Sequence, residues 1–365
     1  MAGESRSSII AAERSALGPG TEFDRIRGFL EGVPDTPGVR VGPGDDGAVL
    51  ADGTVLSSDL SVEGTHFQLD WVSAEEAGYR ATAAAISDLA AMAARPLGIL
   101  GSVAVPAPGT LSAEVMAGVR AAAAASRAPL LGGDLTRSPG PVVVDVMVVG
   151  HADPPLLRSG ARVGDELWVT GSLGAAAAAI EAWVAGRTPG PRAREAFCRP
   201  APRIEEARWL IREAGARAGL DLSDGIAGDA AHLAAASGVG IELEARALLR
   251  ASYRAASDGG ETSEASEASE ASDAAEPADA ALDRDLRRAL HGGEDFELLV
   301  ALPPGGGQPR VEEFRQRFDL PLTRVGRVVD GTGVHLRPGG NAPSRPLTTG
   351  GWDHFEPGPG GPELP

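Results

Sequence analysis

Along the chain, the spacing of apolar positions switches repeatedly between helical and strand-like, and the switches outline two halves. Phe23, Ile26 and Leu30 recur at helical spacing behind T-E-F-D, which reads as a capping box opening a helix at Thr21. The runs Ala48 to Leu50 and Thr54 to Ser57 flank Asp52-Gly53 and predict a hairpin. Ser73 and Glu76 form a second capping box ahead of a long Ala-rich helix that reaches Ala94 and stops before Pro96. A strand over Ile99 to Val105 and a helix over Ser112 to Ala125 follow. Pro129 to Leu131 then leads into Gly132-Gly133-Asp134, and the near-continuous apolar run Val142 to Val149 predicts a buried strand.

The second half opens with a strand over Glu166 to Thr170 and a helix over Leu173 to Ala185. Beyond a Pro/Arg-rich stretch, Pro189 to Pro202, come a helix over Arg203 to Ala216 and the motif Asp221-Leu222-Ser223-Asp224-Gly225. A short helix, Ile226 to Ala236, and a strand, Val239 to Leu243, complete that unit. The acidic S-E-A repeat within residues 257–280 has no large apolar side chain, so burial cannot offset its ordering entropy and a disordered insertion is expected. The pattern resumes by Leu286 and enters a strand over Phe296 to Leu302 through Gly292-Gly293-Glu294-Asp295. These breaks predict a flexible tail over 1–20, one domain over 21–153, a second over 154–356 and a Gly/Pro tail over 357–365.

Composition narrows the chemistry. The 365 residues suit two domains, and with aromatics at 4% the core must be built from Ala, Val, Leu and Ile. A formal charge of -18 repels nucleic acid and anionic membrane surfaces, so an anionic substrate needs metal ions or a local arginine cluster to reverse the potential. Lysine is absent altogether. Walker A loops, protein-kinase sites and pyridoxal Schiff bases are thereby excluded, since each needs a lysine. Cys198 is the single cysteine, which excludes an intrachain disulfide and a thiolate metal cluster. No signal-peptide core and no run of about 18 apolar residues is present, which predicts a cytoplasmic protein without a membrane span.

Several aspartates stand beside Gly or Ser at the edges of apolar elements: Gly44-Asp45-Asp46-Gly47, Ser57-Ser58-Asp59, Ser87-Asp88, Gly132-Gly133-Asp134 and Asp221-Leu222-Ser223-Asp224. Carboxylates and hydroxyls are the donors hard divalent cations take, and Gly admits phosphate close to the backbone, so the set points to Mg²⁺ and phosphate. Taken singly, each motif reads equally as a turn or a helix cap. Asp88 differs, because it lies in a helix apolar almost all round, where an unpaired carboxylate is costly. A metal or a buried arginine would satisfy it. His66, Arg158, Glu294 and Trp352 are polar or aromatic residues in Gly-containing segments, and spacing alone leaves them as ordinary surface or core residues.

Read in order, G-D-D-G-A-V, S-S-D-L-S-V-E-G-T-H-F, I-S-D-L-A-A-M-A-A-R-P, G-G-D-L-T-R, R-S-G-A-R-V-G-D, D-L-S-D-G-I-A-G-D, G-G-E-D-F-E-L and G-W-D-H-F resemble the thiamine-monophosphate kinase family. That family belongs to the superfamily of aminoimidazole ribonucleotide synthetase-like ATP-binding enzymes. The resemblance implies an N-terminal α/β domain that pairs across a homodimer, a C-terminal α+β domain, and ATP bound between them. By position it implies Asp46, Ser57, Ser58, Asp59, Asp88, Asp134, Asp221 and Asp224 as ligands of several Mg²⁺ ions. Gly133, Asp134, Arg158 and Ser223 correspond to ATP contacts, and His66, Glu294 and Trp352 to contacts with thiamine monophosphate. Ala85 stands where the family carries Asn, Ser58 where it carries Thr, and the acidic insertion has no counterpart.

The implied reaction moves the γ-phosphoryl of ATP onto the phosphate of thiamine monophosphate, giving thiamine diphosphate and ADP. The acceptor oxygen is already anionic, so no catalytic general base is expected. Rival readings are a metal-dependent phosphatase built on the same aspartates, another ATP-using enzyme of the superfamily, and a non-catalytic binding subunit.

Overall fold

The computed structural model describes residues 15–34, 36–254, 278–339, 342–347 and 355. The first half contains α1 (Thr21–Leu30), β1 (Val39–Val41), β2 (Ala48–Leu50), β3 (Thr54–Val62), α2 (Ala74–Ala91), β4 (Arg95–Val105), α3 (Leu111–Ala125), β5 (Leu130–Arg137) and β6 (Val143–His151). The strands form a six-stranded sheet in the order β1-β2-β3-β6-β4-β5, with only the β4/β5 pair parallel.

Helix α2 starts where its capping box predicts: Ser73 Oγ accepts from the Glu76 N–H and Glu76 reaches back to the Ser73 N–H. It packs on α3 with almost no spacer, because a Cβ at Gly78 would overlap the Val115 carbonyl and one at Gly118 the Glu75 carbonyl. Ile86, Leu89, Val119, Val144, Val146 and Val148 close the core beneath these helices. Alternation along β3 turns Ser57, Asp59 and Ser61 to the helix side and Ser58 and Leu60 to the other.

The second half runs β7 (Glu166–Thr170), α4 (Ala175–Val184), α5 (Pro191–Cys198), α6 (Ile204–Trp209, prolonged by a π turn over Leu210–Ala214), β8 (Ala218–Asp221), α7 (Ile226–Ser237), β9 (Gly240–Glu244) and α8 (Ala245–Ala251). After the acidic repeat come α9 (Ala278–His291), β10 (Leu298–Leu302), α10 (Val311–Phe318), β11 (Leu322–Val329), β12 (Gly333–Arg337) and β13 (Arg345–Pro346). Its mixed sheet has the order β13-β12-β9-β11-β7-β10-β8. Both faces of its centre are clad: Leu167, Val169 and Leu299 meet α7 and α8 residues on one side, while Trp168, Leu298 and Val300 meet Trp209 and Phe314 on the other.

Several expectations are corrected. The T-E-F-D box does not cap α1, whose N-cap is Gly20 without a side-chain hydrogen bond. The helix ending at Ala94 stops at Ala91, and β4 begins at Arg95, passing Pro96 by a register shift. Gly132-Gly133-Asp134, to which the pattern gave no element, is part of an exposed edge strand. The Pro/Arg-rich stretch contains α5, which Pro191 starts from the first turn, where its missing N–H costs nothing. Residues 15–20 of the expected tail lie partly against the domain, with Ser15 buried and donating to Asp45 Oδ2 at 2.7 Å. Residues 278–280 of the expected insertion belong to α9, while its remainder, Trp352, residues 1–14 and the closing tail lie outside the described residues. Among the described residues no helix is long and apolar enough to cross a membrane.

Candidate active site

Four segments from both halves converge on an acidic cluster. Asp46 follows β1 in the Gly44–Gly47 turn, Asp88 lies near the end of α2, Asp221 ends β8, and Ser57 is on β3. One carboxylate oxygen from each of Asp46, Asp88 and Asp221 falls within 4.8 Å of the others. Ser57 Oγ donates to Asp88 Oδ2 and Ser87 Oγ to Asp221 Oδ2, both at 2.6 Å. Arg158, on the segment joining the halves, donates from Nε to Asp46 Oδ1 at 3.0 Å, and its Nη2 pairs with the same oxygen. Both Asp45 oxygens accept the Arg158 N–H at 3.2 Å. Asp88 thus takes a hydrogen bond from a hydroxyl rather than from the arginine that the sequence left open.

These carboxylates repel one another. Burial, reinforced by Asp46, pushes Asp221 up to about 7, and burial with Asp46 raises Asp45 to about 6. Asp88 is held well above the usual carboxylate range by burial and by Asp221, Asp59 and Asp46. Asp229 on α7 is raised too, by burial and then Asp224. Asp46 Oδ2 is buried without a hydrogen-bond partner. A cluster of hard oxygen donors, with one orphaned oxygen and proton affinities raised by like charge, is suited to a divalent cation. Behind it, His232 is buried against Phe23 at 4.1 Å between ring centroids, and burial, then Arg158 and Arg27, pull its pKa down to about 3.

A cavity of about 270 Å³ joins this cluster to a second region of different character. Asp59, Asp88, Asp221, Ser223 and Asp224 line one end, and His66, Phe67, Trp71, Arg80, Phe197 and Glu294 line the other. Trp71 is stacked on Trp183 at 5.5 Å with 8° between planes, and Trp183 meets Phe197 edge-on at 5.2 Å. Arg80 pairs with Glu294 and lies 3.8 Å from the Phe197 ring centroid. His66 Nδ1 accepts the Val62 N–H at 3.0 Å, which fixes its ring.

Most sequence-derived candidates thus gather at one cleft. Ser58 borders the cavity, but its hydroxyl donates to Asp145 Oδ1 at 2.9 Å. Gly133 and Asp134 do not join: β5 lies three strands from β3, about 14 Å at ordinary strand spacing, and Asp134 accepts the Leu135 N–H at 2.9 Å. Ala85, fully buried, has no polar side-chain atom to support Asp88, and the hydroxyl of Ser57 hydrogen-bonds Asp88 instead. Sequence reasoning missed Arg80, Trp71, Phe67 and Phe197. Arg80 carried a signal, being the only basic residue of α2 and two four-residue steps before Asp88.

Residues 44–152 match the N-terminal domain of the AIR synthase related proteins and residues 162–337 their C-terminal domain. Fold and acidic cleft together thus define a two-domain protein of the AIR synthase related class. The chain is 32% identical over 316 residues to thiamine-monophosphate kinase of Rhodopirellula baltica, covering 82% of this chain and 87% of that one. It is 36% identical over 315 residues to thiamine-monophosphate kinase of Halobacterium salinarum, covering 85% and 94%. A solved structure of AaThiL complexed with AMPPCP and TMP is similar with a TM-score of 0.68 and 26% identity, over 91% of this chain and 96% of that one. Within the class, the chain belongs to the thiamine-monophosphate kinases, which are ATP-dependent phosphotransferases.

Proposed function

We propose that the cleft transfers the γ-phosphoryl group of ATP to the phosphate of thiamine monophosphate, using Mg²⁺ held by its aspartates. The observation carrying this reading is the single cavity that joins a cluster of mutually repelling carboxylates to an aromatic pocket containing Glu294. Asp46, Asp88 and Asp221, with Asp59, Asp224 and the Ser57 hydroxyl, would hold the ions. Bound Mg²⁺ would neutralise the charge on the transferring phosphoryl group. In this reading Arg158, which pairs with Asp46, and Ser223, which lines the cavity, would bind ATP, and the aromatic end would take the heterocycles of a cationic acceptor, with Glu294 and His66 orienting it. Trp352, which the resemblance makes a contact to thiamine monophosphate, is proposed to stack on its cationic heterocycle.

An acceptor phosphate oxygen attacks the γ-phosphorus, the bond to the β–γ bridging oxygen breaks, and ADP leaves with that electron pair. The attacking oxygen is ionised at neutral pH, so no residue need remove a proton, and the protein contributes positioning and charge complementarity. Incubation with ATP, Mg²⁺ and thiamine monophosphate, with chromatographic detection of products, should yield thiamine diphosphate and ADP in equal amounts. Phosphate release without thiamine diphosphate would point to a phosphatase instead.

The enzyme is further proposed to be a cytoplasmic homodimer. Support comes from the face of the first sheet opposite α2 and α3, where Leu60, Leu97, Leu131 and Met147 are 39–60% exposed. Gly133 and Asp134 share the edge of this sheet with Leu131, and in the dimeric reading their nucleotide contact would be made to the cleft of the second copy. Leu131→Glu combined with Met147→Glu should halve the mass seen by light scattering.

A further inference from the structure

We propose that Arg80 is a positioning residue for the acceptor, fixing Glu294 at a set distance from the acidic cluster. This rests on the thiamine-monophosphate reading above. Helix α2 presents Arg80, Ala84 and Asp88 to the cavity at four-residue intervals, which is one face of a helix. At the usual rise, Arg80 and Asp88 are about 12 Å apart along the axis. The same rigid element therefore carries a ligand of the acidic cluster at one end of the cavity and the partner of Glu294 at the other.

The Arg80 side chain is 4% exposed, and its donors reach three separate segments. Nη1 donates to the Phe197 carbonyl at 2.8 Å, Nε to the His66 carbonyl at 3.3 Å, and Nη2 pairs with Glu294. His66 follows β3 in the first half, whereas Phe197 on α5 and Glu294 before β10 belong to the second, so one guanidinium ties the acceptor end together across the halves. Its Cζ also lies over the Phe197 ring, 3.8 Å from the centroid. Glu294 has a φ of +62°, a left-handed conformation that a non-glycine residue holds only when its surroundings enforce it. The pairing with Arg80 is one such constraint. It sets where the carboxylate points, and it cancels a buried positive charge that would otherwise repel a cationic acceptor.

The test compares R80M, R80K, E294Q and R80M/E294Q. Acceptor dissociation constants are read from quenching of tryptophan fluorescence, since the stacked Trp71 and Trp183 border the pocket, and KM is measured for each substrate separately. R80M is expected to raise the Kd and KM for thiamine monophosphate at least about tenfold while the KM for ATP stays within about twofold, because only the acceptor end is misaligned. R80K should recover only part of this, since an ammonium cannot reproduce the fork. In the E294Q background R80M should add less than about threefold, as expected for residues acting as one unit.

An unchanged acceptor Kd in R80M would overturn the assignment. So would an equal rise in the KM for ATP, which marks a general structural role, or a full tenfold effect of R80M on top of E294Q. Should R80M not fold, R80K with and without E294Q gives the same comparison with the same signs. A wild-type chain that neither binds nor phosphorylates thiamine monophosphate would instead overturn the functional reading and this inference with it.

Discussion

The two ends of the cavity solve opposite electrostatic problems. At the acidic end, Asp46, Asp88 and Asp221 converge with Arg158 as the nearest cation, and burial and mutual repulsion push Asp88 and Asp221 toward protonation. At the aromatic end, the buried charge of Arg80 is matched by Glu294, two carbonyls and a ring face. The first arrangement concentrates like charge that a bound cation would relieve, whereas the second pairs its buried charge internally. On the proposed function, binding energy would be divided by chemistry: charge neutralisation at one end, stacking and orientation at the other.

That division can be broken most sharply at Asp88. Asp88→Asn should lower kcat at least about 1,000-fold, about 4 kcal/mol of transition-state stabilisation, with circular dichroism unchanged. Wild-type activity in this variant would remove the metal-ligand assignment. Next in size is the effect of the cation on folding: Mg²⁺ at about 100 times its dissociation constant should add about 2.7 kcal/mol of stability in thermal unfolding, and the gain should vanish in Asp46→Asn/Asp221→Asn.

His232 tests whether the polarity behind the acidic end comes only from carboxylates. Its folded pKa of about 3 lies below the unfolded value near 6.5, so the neutral ring contributes stability that is full above pH 6.5 and is lost as pH falls toward 3. By pH 5 the loss is about 2 kcal/mol, and His232→Gln should flatten that part of a urea-unfolding pH profile. The carboxylates with raised pKa values act in the opposite direction, which is why the variant rather than the wild-type curve isolates the histidine. The smallest effect is expected at the aromatic end: Trp71→Leu should raise the KM for thiamine monophosphate about fivefold, one stacking contact, and leave the KM for ATP unchanged.

Legibility in the sequence followed the range of the interaction. The β2–β3 hairpin, the capping box of α2 and the strand β7 are specified by neighbours a few residues apart, and the structure places them where the pattern does. The extent of β4 was hidden by Pro96, which interrupts the local signal although the strand passes it. Strand β5 was hidden for another reason: as an edge strand exposed throughout, it shows no alternation, and its pairing with β4 defines it. Within the site, Asp46, Asp88 and Asp221 were legible as residue types beside Gly or Ser. Arg80 was not, because its significance lies in Glu294 and Phe197 far along the chain.

By itself the sequence determined the materials: oxygen donors in Gly- and Ser-flanked turns, the absence of any lysine to bind phosphate, glycines at 78 and 118 that let α2 and α3 touch, and an ordered set of motifs resembling one kinase family. Sheet order and helix packing decided the rest. They brought Asp221 from the second half against Asp46 and Asp88 of the first, set Arg80 on Glu294, and left Asp134 at the far edge of a sheet beside an open apolar face. Periodicity records which side of an element is apolar and so fixes faces locally. Which faces meet depends on packing free energy summed over the whole chain, and that sum is settled only when the two halves close on the cleft.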